Sequence, residues 1–228
     1  MSLLGTSKMR YSEAENRWGT KMAKFSIVPN LNFFSRDEWV SNTNLPRLGR
    51  KVDREDRTHV IIHHTVTPDA DSTPNAWETE DELIERMRKL QVIRPDLGMD
   101  VPYSFVAFLM KDGGLNIFEG RGEDRTGAHT KGHNTAGIGV SFAGNFQDST
   151  GGADMPSGMK LLSYFLGWLK HDPSHPSYGQ YAPMKKLGSL MPSNRRVFVH
   201  GDMAKTSCPG DKLLDALGSV DFLNPKNV

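Results

Sequence analysis

The 228-residue sequence predicts a single α/β domain in which a central mixed β-sheet is flanked by helices on both faces. Strand-like and helix-like segments alternate as strand, helix, β-hairpin, strand, helix, strand and helix. The apolar run at residues 60–62 does not alternate with polar residues, which is typical of a strand buried on both faces. The length suits one large domain with extensions.

The first part of the chain carries weak signals. Residues 1–32 show no clear periodicity, so we assign them to an N-terminal extension of a domain that covers residues 33–228. Ser35 is positioned to cap a short helix whose first turn carries Asp37 and Glu38.

Stronger signals begin with a predicted strand at residues 59–64. A helix is predicted at residues 79–92, where Thr79 is a suitable N-cap and the acidic residues 80–82 complement the positive end of the helix dipole. The apolar stripe of this helix consists of Leu83, Met87 and Leu90.

The second half of the chain supplies the remaining elements. Strands are predicted at residues 103–110, 115–119, 137–143 and 197–200, and helices at residues 159–170 and 211–217. Residues 111–114 form the turn of a hairpin. The polar loop at 120–136 is long enough to suggest a functional role. The proline-rich segment 171–194 is predicted to be an irregular insertion.

Composition excludes several classes of protein. The formal net charge is only +1, so the chain lacks the strong positive electrostatic field that would attract nucleic acid. A single cysteine excludes an internal disulfide framework. We expect no membrane partner, because no apolar run approaches the roughly 18 residues of a membrane span. We also expect a monomer. The N-terminus lacks the apolar segment of a signal peptide. We therefore expect synthesis in the cytoplasm.

Two histidines and the cysteine form a candidate zinc site. His63 and His200 each lie at the C-terminal end of a predicted strand, and Cys208 follows eight residues after His200. A catalytic zinc site uses three such ligands and keeps one position open. Spacing alone leaves a second interpretation open, in which Cys208 is a small buried apolar residue and the histidines merely end strands.

Six segments in one order resemble a known family. They are residues 63–65, 100–105, 119–122, 127–130, 137–145 and 200–210. Together they are similar to the zinc-dependent N-acetylmuramoyl-L-alanine amidases, a group that includes the peptidoglycan recognition proteins. Residues 35–39 also resemble a Ser-Arg-x-x-Trp segment of the recognition proteins. The resemblance covers about residues 33–218 and implies a fold of the amidase and recognition-protein type.

The resemblance also implies the roles of particular residues. It makes His63, His200 and Cys208 the Zn²⁺ ligands and Tyr103 a catalytic residue. The second catalytic position, two residues before the cysteine, is Thr206, although Lys205 is adjacent. Relatives that bind peptidoglycan without cleaving it typically lack a ligand, whereas this sequence keeps all three.

The implied reaction is hydrolysis of the amide bond between N-acetylmuramic acid and L-alanine. Zinc lowers the pKa of water to roughly 7 and so provides a nucleophile at neutral pH. Tyr103 and Thr206 would stabilise the developing oxyanion. Another branch of the superfamily has a glutamate where this chain has Ser141, so the general base is left open, with Tyr103 one alternative.

Four further residues are candidates for substrate binding: His64, Arg121, His129 and Asn134. Each has a structural alternative. His64 alternates with His63 along the strand and could pack on the other face. Arg121 could form a structural ion pair. His129 and Asn134 could make ordinary hydrogen bonds within their loop.

The sequence therefore predicts a zinc amidase whose partners are bacterial peptidoglycan and muropeptides. Lack of a signal peptide favours a phage or prophage endolysin, which would act on the cell wall after holin-type lysis or non-classical export. The main alternative is a peptidoglycan-binding module without catalysis; a purely structural zinc ion and an additional protein partner are weaker alternatives.

Overall fold

A computed structural model of the chain describes residues 24–40, 45–66, 74–171 and 197–228. The strands are β1 (Lys24–Val28), β2 (Leu31–Phe34), β3 (His59–His64), β4 (Phe105–Leu109), β5 (Leu115–Glu119), β6 (Gly137–Phe142) and β7 (Val197–Val199). The α-helices are α1 (Arg36–Trp39), α2 (Glu80–Val92), α3 (Met155–His171), α4 (His200–Met203) and α5 (Asp211–Ala216). Residues 1–23 and nearly all of the predicted insertion lie outside the described residues.

The described strands form one seven-stranded sheet in the order β1-β2-β5-β4-β6-β3-β7. The pairs β1–β2 and β4–β5 are antiparallel, whereas β2–β5, β4–β6, β6–β3 and β3–β7 are parallel. The sheet is therefore mixed, and the predicted α/β class is confirmed.

The β1–β2 hairpin corrects the predicted N-terminal boundary. Residues 24–32 had been assigned to the extension, but they belong to the two strands and the turn of a hairpin that extends the sheet. Leu31 and Phe33 are fully buried, and Asn30 takes a positive φ of 65° in the turn, a conformation that asparagine tolerates. A pattern search missed β2 because four residues are too few to display a period, and its partner β5 lies about eighty residues away.

Helices cover both faces of the sheet. Helix α3 packs Phe165 and Leu166 against Val60, Ile62 and their neighbours on one face. This helix begins at Met155, four residues earlier than predicted, and the Asp154 carboxylate accepts the backbone N–H of Ser157 in its first turn (3.1 Å).

Helix α2 covers only part of the opposite face of the sheet. Leu83, Met87 and Leu90 pack with Val106 and Phe108 of β4, as the apolar stripe predicts. The predicted cap is also present, since Thr79 and Glu82 form a reciprocal capping box. The part of this face that is formed by β3 and β6 is not included in the α2 core and carries the functional site instead.

Strand ends differ slightly from the prediction. Tyr103 precedes β4 rather than beginning it, and His200 begins α4 rather than ending β7. In the part of the chain that the structure describes, no helix has the length and apolar character needed to cross a membrane.

Candidate metal centre

Parallel strands bring the predicted ligands together. In the register of β3 and β7, Ile62 pairs with Val199, so His63 and His200 are the next residues along their chains. Their ring centroids are 4.7 Å apart. A hydrogen bond of 3.0 Å from the Gly201 N–H to the Cys208 carbonyl folds the following loop back and returns the cysteine to the strand end.

The distances fit a zinc ion. One candidate ligand atom from each of His63, His200 and Cys208 lies within 4.8 Å of the others. The His63 Nδ1 and Cys208 Sγ atoms are 3.7 Å apart. Tetrahedral coordination with ordinary Zn–N and Zn–S bonds places such atoms about 3.6 Å apart. Two imidazoles and a thiol are also donors that zinc prefers to magnesium or calcium.

Burial sets the protonation of these donors. Burial of the His63 ring lowers its pKa well below the usual value, with help from neighbouring imidazoles, and burial also lowers the pKa of His200. Both rings are therefore neutral at pH 7 and have a lone pair available. Burial raises the pKa of the Cys208 thiol to about 11, although a hydrogen bond from the His64 backbone opposes the shift. Metal loading must therefore release a proton.

Tyr103 lies against the candidate metal ligands. Its ring centroid is 5.3 Å from that of His63. Burial raises the pKa of the Tyr103 hydroxyl to about 12, and the nearby charge of Cys208 adds to the increase. The hydroxyl therefore stays protonated at pH 7 and can donate a hydrogen bond. Ser141, which pairs with His63 in the β6 register, is fully buried and provides no carboxylate.

Thr206 is exposed in the loop between α4 and α5. Its Oγ1 accepts the Cys208 backbone N–H at 3.2 Å, which leaves its own hydroxyl hydrogen available. The structure thus places Thr206 beside a predicted ligand, and its role toward an oxyanion stays a prediction.

His129, which lies in the long loop at 120–136, contacts the candidate metal ligand His63. It is buried, and its Nδ1 lies 3.1 Å from His63 Nε2. Gly127 and Gly139 form a slot for its ring: a Cβ on Gly139 would lie 2.5–2.7 Å from three ring atoms, and one on Gly127 would also collide. Burial, followed by the charge of Arg57, lowers the pKa of His129 to about 3.

Arg121, a predicted substrate contact, is buried in the structure. The side chain is 4% exposed, and its Nε donates to the Val101 carbonyl at 3.1 Å. Nε also lies 3.5 Å from a carboxylate oxygen of Asp100. The guanidinium is committed to internal partners, which favours the structural ion-pair alternative.

Asn134 and His64 also have structural roles. Asn134 Oδ1 accepts the backbone N–H groups of His129 and Thr130 at 2.9 and 3.0 Å, which fixes the turn of the loop. His64 Nδ1 accepts the Phe146 N–H at 3.2 Å, and the side chain is buried. Strand alternation directs it away from the face that carries His63. A role of either side chain in substrate binding stays a prediction.

Sequence reasoning missed Arg57, which organises the loop that carries His129. Its fully buried guanidinium donates to the backbone carbonyls of Glu123, Arg125, Asn134, Thr135 and Gly137. An arginine in a short polar stretch before a strand gives no pattern that would reveal this role.

Comparison with known proteins assigns the family. A profile of the N-acetylmuramoyl-L-alanine amidase family matches residues 53–211, which include all three candidate ligands and Tyr103. The chain belongs to this amidase family. The predicted family membership is thereby confirmed.

Sequence relatives in the amidase family include enzymes and recognition proteins. The N-acetylmuramoyl-L-alanine amidase of Sus scrofa is 31% identical over 160 residues, which are 69% of this chain and 22% of that protein. Peptidoglycan-recognition protein SC2 of Drosophila melanogaster is 28% identical over 191 residues, 82% of this chain and 84% of that protein. The chain spans about a fifth of the length of the mammalian amidases that it matches.

Solved structures of the same group confirm the fold. Wild-type Drosophila PGRP-LB has a TM-score of 0.59 at 20% identity, covering 85% of this chain and 96% of that one. Bumblebee PGRP-SA has a TM-score of 0.57 at 26% identity, covering 82% and 93%.

Proposed function

We propose that the protein is a zinc-dependent hydrolase that cleaves the amide bond between N-acetylmuramic acid and L-alanine in bacterial peptidoglycan. The observation that carries the proposal is the convergence of His63, His200 and Cys208 within 4.8 Å, beside the ring of Tyr103. Family membership supplies the reaction class.

The residues of the site have distinct roles in this reaction. When bound, zinc acts as a Lewis acid and lowers the pKa of water to about 7. The protonated Tyr103 hydroxyl donates to the oxyanion that develops on the scissile carbonyl. Thr206 provides a second hydroxyl at the exposed side of the site. The position in β6 that pairs with His63 is occupied by Ser141, so the chain has no carboxylate base there.

Structural relatives support a muropeptide as the ligand class. A mutant of Drosophila PGRP-LB in complex with tracheal cytotoxin has a TM-score of 0.56 at 23% identity. PGRP-LE in complex with tracheal cytotoxin, a monomeric diaminopimelic acid-type peptidoglycan, has a TM-score of 0.55 at 19% identity.

A binding module without catalysis is the second candidate, because several relatives are named as recognition proteins. The intact ligand set favours the enzyme. The test is release of new L-alanine amino termini from purified peptidoglycan by the wild type, by Cys208→Ser and by Lys212→Ala, a control at an exposed residue of α5. The enzyme predicts release by the wild type and the control, and loss in Cys208→Ser. Peptidoglycan binding without release by the wild type would establish the binding module.

The endolysin role is the biological setting proposed for this activity. It predicts that the purified protein lyses bacteria whose outer membrane has been permeabilised and leaves intact bacteria of the same kind unlysed. Equal lysis of intact and permeabilised cells contradicts that setting without affecting the reaction.

A further inference from the structure

The two ring nitrogens of His63 have different surroundings. Nδ1 lies 3.7 Å from Cys208 Sγ and is therefore the nitrogen directed at the candidate metal position. Nε2 points away from the cysteine and lies 3.1 Å from His129 Nδ1 and 3.3 Å from Thr130 Oγ1. A neutral imidazole carries one proton, so a metal at Nδ1 requires that proton to be on Nε2. The Nε2–H group is buried and needs an acceptor.

Thr130 can accept this proton in every arrangement of its neighbours. Its Oγ1 lies 3.0 Å from His129 Nδ1. If His129 carries its proton on Nδ1, that group donates to Thr130 Oγ1, which also accepts from His63. If His129 carries its proton on Nε2, its Nδ1 becomes a second acceptor for His63. The threonine hydroxyl is thus the constant partner and the imidazole an additional one.

Both residues are rigidly held. Thr130 and His129 are 2% and 8% exposed. Asn134 Oδ1 binds both of their backbone N–H groups, and the glycine slot fixes the His129 ring. Such fixation costs chain entropy and places polar groups in a buried position, so it indicates a geometric task.

We propose that Thr130 and His129 are positioning residues. Thr130 accepts the Nε2 proton of His63, and His129 either donates to the same hydroxyl or acts as a second acceptor, so that Nδ1 of His63 carries no proton and is aimed at zinc. This assigns His129 a role toward the ligand rather than toward the substrate. The inference rests on the zinc site of the proposed function and adds the device that preorganises it.

The first test uses the wild-type protein without metal. Long-range ¹H–¹⁵N NMR correlations identify which nitrogen of His63 carries the proton. The proposal predicts the Nε2–H tautomer before zinc is added, because the acceptors are already in place. A dominant Nδ1–H tautomer overturns it.

The second test measures zinc dissociation constants by competition with a chromogenic chelator. Thr130→Val removes the acceptor oxygen while keeping the shape, and is expected to weaken zinc binding by about tenfold. Adding His129→Phe, which keeps a flat ring in the slot, should bring the loss to about 100-fold. Thr130→Ser keeps the hydroxyl oxygen and should bind zinc like the wild type.

A matched control separates this role from a structural one. Thr58→Val makes the same change at a threonine whose Oγ1 contacts His59 Nδ1 at 2.9 Å, at the opposite end of β3. It should leave zinc affinity unchanged. Wild-type affinity in Thr130→Val and in the double variant overturns the inference. A wild type that binds no zinc overturns the proposed function itself, so the two failures are distinguishable.

Discussion

Gly139→Ala tests the packing that holds the site. The new Cβ would lie 2.5, 2.6 and 2.7 Å from three atoms of the His129 ring. Ordinary carbon contacts begin near 3.5 Å, so the ring must move by about 1 Å. Overpacking of this kind costs about 1–3 kcal/mol, and loss of glycine's chain entropy in the unfolded state offsets about 0.5–1 kcal/mol. We expect a net destabilisation of about 1–2 kcal/mol, which lowers Tm by about 2–8 °C in a chain of this size.

The same displacement should weaken zinc binding by about tenfold, because His129 would lose its position against His63. The assay combines thermal unfolding without metal and a zinc titration. Gly218→Ala is the control, since a Cβ there meets nothing within 4 Å. Unchanged Tm and unchanged zinc affinity in Gly139→Ala would show that the slot is not rigid and would refute this reasoning.

Three further substitutions probe separate parts of the structure. Arg57→Met leaves several buried loop carbonyls without donors and should cost on the order of 3–5 kcal/mol in urea unfolding; a loss below 1 kcal/mol contradicts its role. Burial raises the pKa of the Glu123 carboxyl to about 7 despite its ion pair with Arg54. The protonated carboxyl therefore contributes to the free energy of unfolding below about pH 4.5, and this contribution is lost as the pH rises through 7. Glu123→Gln should therefore flatten the decline in unfolding free energy over that interval, and an unchanged slope argues against a raised pKa. Tyr103→Phe should lower kcat by about 10²–10³-fold with zinc stoichiometry unchanged, whereas full activity would remove Tyr103 from the reaction.

Local chemistry made some elements predictable. The α2 helix has a strong cap, an acidic first turn and an apolar stripe, and it begins where the sequence places it. The approach of His63 and His200 was also predictable in outline, because histidines at the ends of two buried strands meet when the strands are parallel neighbours.

Other features depend on contacts between distant parts of the chain. The β2–β5 pairing joins segments about eighty residues apart, so no local pattern reveals it. Arg121 has the composition of a carboxylate-binding residue, but its role follows from burial against Asp100 and Val101. Thr130 carries no motif signal, and only its distance from His63 Nε2 gives it a role.

The central claim is that His63, His200 and Cys208 hold a zinc ion that is required to cleave peptidoglycan. Mass spectrometry of purified peptidoglycan after digestion tests it directly, with protein that is untreated, chelator-treated, or chelator-treated and reloaded with zinc. The account predicts stem peptides that begin with L-alanine in the untreated and reloaded samples and none with chelator. Equal cleavage in all three samples, or cleavage at another bond, would contradict it.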